Sequence, residues 1–123
     1  MSWWQELIGK ALFSGPYTPQ ERTDTGDPFN FLMDQYLRFN QGDEAPLLAR
    51  TVQRFQALSS AAARQLLQEV VEAYNYAAAR QYEARDGQLS PEQADHDVRA
   101  RFPQLDEANL RTLLAQTRAG AYR

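Results

Sequence analysis

Residues that favour β-strands are scarce in this chain, and their scarcity constrains the fold more than any other feature. The 123 residues include one Ile, four Val and six Thr, whereas Ala, Leu, Gln, Glu and Arg are abundant. The abundant types are good helix formers, and the β-branched types are enriched in strands. Sustained alternation of apolar and polar residues, the pattern of a half-buried strand, is also missing. The sequence therefore predicts an all-α protein without a sheet.

Helix start signals divide the chain into segments. Asp27-Pro28 and Ser90-Pro91 each place a capping side chain before a proline at the first helical position, and Asp106 is a third capping residue. The predicted helices cover residues 2–13, 28–42, 44–58, 60–86, 91–101 and 107–119. The helix over 60–86 has the widest apolar arc, which indicates contact with several neighbours.

These segments predict one domain over residues 1–123, because the length fits a single hydrophobic core. We expect five or six helices packed around the long central helix. An amphipathic N-terminal helix is predicted over 1–14, a loop over 15–27 and a helical body over 28–123.

Composition excludes several kinds of site. The chain has no Cys, which excludes disulfides and thiolate metal sites, and its single His96 excludes a site built on several imidazoles. Acidic residues outnumber basic ones by 16 to 13, a net charge of −3 that argues against general nucleic-acid binding. We therefore expect no cofactor, no catalytic site and no metal site. The sequence points to no particular small-molecule ligand.

The first residues carry no targeting signal. A secretory signal needs a basic start and an apolar core, and a membrane span needs about 20 apolar residues; neither pattern is present. We expect a soluble cytoplasmic protein with no membrane span. Trp3 and Trp4 are expected to pack on the domain or on a partner rather than on lipid, because Lys10 is the one basic residue beside them.

Two other functions stay open. Residues 91–119 predict two short helices joined by a turn, as in a helix-turn-helix nucleic-acid binder, and five arginines follow from Arg99 onward. The second helix would begin with Asp106-Glu107, however, which repels phosphate. Glu92 and His96 lie four residues apart and share a helix face, which is half of a metal site for a metal-dependent enzyme.

A short segment, about residues 98–118, resembles the CUE-type ubiquitin-binding domains. The resemblance is carried by Phe102-Pro103 and by the later Leu113-Leu114. It implies that Phe102 and Pro103 would contact ubiquitin. The segment has no counterpart of that family's third helix.

Two aromatic residues fall on the polar side of their predicted helices. Phe31 lies between Gln35 and Arg38, and Tyr76 shares its side with glutamate and arginine residues. Exposed aromatic rings beside arginine are typical of binding hot spots. The sequence therefore predicts a non-enzymatic protein–protein interaction module, namely an adaptor, an assembly or regulatory subunit, or a self-associating domain. Its predicted interface consists of Phe31, Tyr76, Trp3, Trp4 and Arg38.

Overall fold

A computed structural model describes residues 26–39 and 43–123. This part of the chain is all-helical, as predicted, and contains no strand. Its helices are α1 (Pro28–Arg38), α2 (Glu44–Arg54), α3 (Ser60–Arg85), α4 (Pro91–Arg101) and α5 (Glu107–Ala121). The predicted helix over 1–14, with Trp3 and Trp4, and the loop up to residue 25 lie outside the described residues.

Side-chain caps begin four of these helices. The side-chain oxygens of Asp27, Ser59, Ser90 and Asp106 each accept a hydrogen bond of 2.8–3.0 Å from the backbone N–H three residues later. Each such cap contributes about 1 kcal/mol to helix stability. The starts expected at Asp27, Ser90 and Asp106 are confirmed.

Three helix ends differ from the predictions. α1 ends at Arg38 rather than residue 42, because Phe39 leaves the helical conformation with a φ of −109° and a ψ of 21°. α2 ends at Arg54 rather than residue 58, because Phe55 leaves the helix and packs its ring edge-on against Phe31, with the centroids 5.5 Å apart. α5 continues through Gly120 to Ala121, since Ala121 is buried and its packing maintains the helix beyond the glycine. α3 ends at Arg85, one residue before the predicted end, and Gly87 follows the cap residue Asp86 with a φ of 82°, a left-handed conformation that suits glycine, as predicted.

The long helix α3 contacts each of the other four helices. α4 runs antiparallel to it, because Glu72 pairs with Arg101 while Arg80, two turns later on α3, pairs with the earlier Asp97. The expected packing around one central helix is therefore confirmed. Buried alanines on α3 allow the neighbouring helices to approach closely: Ala63, Ala73, Ala77 and Ala84.

α5 runs in the same direction as α3. Gln81 contacts Arg118 and, one turn later, Arg85 contacts Ala121, so residue numbers rise together along both helices. The C-terminal ends of α3 and α5 therefore meet at the same end of the molecule. A three-way network holds this end together, because Asp95 of α4 accepts hydrogen bonds from both Gln81 and Arg118.

Candidate interaction surface

Two residues of the predicted interface are buried within the chain itself. The Phe31 side chain lies under Phe55 and beneath the guanidinium of Arg54, and Phe31 is only 8% exposed. The Arg38 side chain is 1% exposed and pairs with Asp34 at 3.2 Å. The expectation that both occupy a solvent-facing side of α1 is wrong, because both are buried and the end of α2 covers Phe31. Their contact with a partner stays a prediction.

Tyr76 is half-buried and its ring is already occupied by neighbours. It packs edge-on against Phe102 with 5.6 Å between the centroids, and the guanidinium groups of Arg101 and Arg80 lie 5.0 and 5.6 Å from its centroid. These cation–π contacts cover the ring with the chain's own arginines. Its predicted contact with a partner is not tested by this geometry. Phe102, the ring that the CUE-type resemblance assigns to ubiquitin, is buried in the core.

The arginines counted for a helix-turn-helix interface are largely committed to the fold. Arg99 pairs with Glu107, and Arg118 pairs with Asp95 at 2.7 Å. Arg101 pairs with Glu72, as described above. Charge that is neutralised inside the molecule contributes less to phosphate binding, so this geometry does not strengthen the nucleic-acid alternative.

Glu92 and His96 are both exposed on α4. Among residues 26–39 and 43–123, no group of three His, Cys, Asp or Glu side chains is arranged to hold a metal ion. The proposed half-site therefore gains no further ligand from the described part of the chain.

A surface that the sequence did not single out lies where α3 and α5 end. Tyr82 and Tyr122 are 43% and 55% exposed, and they are the only large hydrophobic side chains classed as exposed in the described part of the chain. Arg85 connects them: its guanidinium lies 4.7 Å from the centroid of the Tyr82 ring, and its Nη1 donates to the carbonyl oxygen of Ala121, the residue before Tyr122. We call Tyr82, Arg85 and Tyr122 the tyrosine–arginine patch.

The guanidinium at the centre of the patch makes two hydrogen bonds within the chain. Nε of Arg85 donates to Oδ1 of Asp86 at 3.0 Å, while Nη1 contacts the last turn of α5 at 3.1 Å. The hydrogen bond to Asp86 raises the pKa of Arg85 above its usual value, and the nearby Tyr82 and Tyr122 act in the same direction. A cation beside the carbonyl end of α5 also offsets the negative end of the helix dipole.

Sequence reasoning missed the patch because its parts come from distant positions. Tyr82 and Tyr122 belong to different helices, and the prediction for α5 stopped at residue 119, before Tyr122. Only the shared direction of α3 and α5 brings their ends together. The exposure of Tyr82 alone had a local signal, because helical spacing places Tyr82 on the same side of α3 as Asn75 and Ala79, which are both exposed.

A second surface feature is a cleft of about 240 Å³ between α2 and the first turns of α3. Its lining is mostly apolar, with one cation at the rim: Leu48, Ala49, Val52, Ser60 and Arg64. The cleft lies far along α3 from the tyrosine–arginine patch, since Arg64 and Arg85 are separated by 21 residues, or about 30 Å of helix.

Comparison with known proteins identifies no relative. The chain matches no family model, no curated protein and no solved structure. No helix in the described part of the chain is both long enough and apolar enough to cross a membrane.

Proposed function

We propose that this protein is a non-enzymatic protein–protein interaction module and that the tyrosine–arginine patch is its contact surface. The observation that supports the proposal is a pair of exposed tyrosines joined by one arginine, whose guanidinium lies on the Tyr82 ring and donates to the backbone carbonyl beside Tyr122. Tyrosine and arginine are over-represented at the energetic centres of protein interfaces. Tyrosine contributes a large contact area at a small entropy cost, because few rotatable bonds are frozen on binding.

The framework beneath the patch supports the same proposal. Both tyrosines lie at the ends of helices rather than on a long loop, and Arg85 is already held by Asp86 and by the end of α5. One turn earlier, Gln81 and Arg118 tie α3, α4 and α5 together through a shared acid. A surface whose side chains are ordered before binding loses less entropy on association.

The experiment is capture of a partner from an extract of the native cells with three versions of the immobilised protein. We expect Tyr82→Ala/Tyr122→Ala to lower retention of the partner about tenfold, because loss of hot-spot residues costs an interface at least that much. Gln68→Ala is the matched control, since Gln68 is exposed on α3 four turns before the patch.

All three versions are first compared by circular dichroism, so that a loss of capture caused by unfolding is recognised. A protein that is retained equally by the wild type, the double variant and the control contacts some other surface. That result would contradict the proposal. So would the absence of any retained protein that distinguishes the three, if the wild type also stays monomeric in solution.

A further inference from the structure

We infer that the occupant of the tyrosine–arginine patch is a second copy of this chain, placed by a two-fold axis so that Arg85 of each copy faces Asp86 of the other. The inference rests on the proposed function and specifies its partner. It follows from the charges at the patch, which are self-complementary.

Arg85 and Asp86 supply opposite charges side by side at the edge of the rings. Their side chains are 41% and 51% exposed, so both remain accessible although they contact each other at 3.0 Å. A two-fold axis brings residue i of one copy to residue j of the other, and j to i. Applied here, it creates two equivalent Arg85–Asp86 contacts between the copies.

A partner of one sign fits this surface less well. An acidic segment that approaches Arg85 meets the carboxylate of Asp86 directly beside it, and a basic segment that approaches Asp86 meets Arg85. Like charges brought together at an interface cost several kcal/mol and exclude such partners. A second copy presents both signs in the required order.

The rings complete the self-complementary arrangement. Each guanidinium already lies on the Tyr82 ring of its own chain, 4.7 Å from the centroid, and the Arg85 side chain is still 41% exposed, which leaves room for a ring from the other copy. Arginine between two aromatic rings is favoured by the attraction of the cation for each ring face. The second ring is Tyr122 of the other copy, which is the more exposed of the two tyrosines.

The dimer is expected to be weak. A stable interface buries about 800 Å² on each partner, and three or four side chains cover only the centre of such an area. We therefore expect association with a dissociation constant of about 10 µM to 1 mM, weakened by salt because the exchanged ion pairs are exposed.

Sedimentation velocity over that concentration range tests the inference by a charge swap. Arg85→Glu places two acids in the patch and Asp86→Arg places two bases, so each variant alone should be monomeric. An equimolar mixture of the two should recover the dimer, because each cation then faces an acid of the other copy. Recovery in the mixture is a result that a purely structural role of Arg85 would not produce.

The double variant Tyr82→Ala/Tyr122→Ala provides a second test that leaves both charges in place. It should be monomeric at concentrations where Gln68→Ala still dimerises. A wild type that is monomeric throughout, or dimers that persist in both single charge variants, would overturn the inference. A monomeric wild type that still captures a different protein through the patch would leave the proposed function standing and reject only the second copy as its partner.

Discussion

Asn30 joins the beginnings of α1 and α5 through one buried amide. Its Nδ2 donates to Asp27 and to the carbonyl oxygen of Gln104, while its Oδ1 accepts from the backbone N–H of Asp106 and from Nδ2 of Asn109. Asp27 and Asp106 are also the caps of the two helices, so one side chain links both caps. The sequence carries this arrangement as a repeated Asp-x-x-Asn pattern at the two helix starts.

Replacing Asn30 by alanine should lower the free energy of unfolding by about 2–4 kcal/mol, because several buried polar groups then lose their partners. Denaturant unfolding measures the change. Asn75→Ala is the matched control: Asn75 is exposed on α3, and its replacement should alter stability by no more than about 0.5 kcal/mol. Equal stability of the two variants would show that Asn30 does not hold the helix starts together.

Between elements, ion pairs attach α4 to α3 and to α5. Asp97 accepts from Gln93 of its own helix and from Arg80 of α3, and these contacts lower the pKa of Asp97 below its ordinary value of 3.8. Arg99 lowers the pKa of Glu107 below 4.5 in the same way. The folded state therefore favours the charged form of both carboxylates.

Stability should fall as the solution is acidified below about pH 4.5. A carboxyl group with a lower pKa in the folded state stabilises the fold above its unfolded pKa, and that contribution is lost as pH falls through the folded value. Urea unfolding at pH 6 and pH 3 measures the difference, and Asp97→Asn/Glu107→Gln should make it smaller. An unchanged pH dependence in this double variant would mean that other carboxylates cause the acid sensitivity.

At the scale of the whole molecule, the sequence predicted what local patterns encode. Capping at Asp27 and Ser90 depends on residues three positions apart, so the helix starts were readable. The burial of Phe31 could not be predicted in this way, because Phe55 contacts Phe31 only after α2 turns back on α1. The patch likewise depends on the relative direction of α3 and α5, which no local spacing encodes.

Site-specific photo-crosslinking in living native cells tests most directly whether the tyrosine–arginine patch is the contact surface. A benzophenone amino acid replaces Tyr82 in one version of the chain and Gln68 in another, about 21 Å earlier along α3. After irradiation, adducts are identified by mass spectrometry. The account predicts a protein adduct, either a second copy or another chain, from position 82 and a much lower yield from position 68. Equal yields at the two positions, or adducts from position 68 alone, would contradict it.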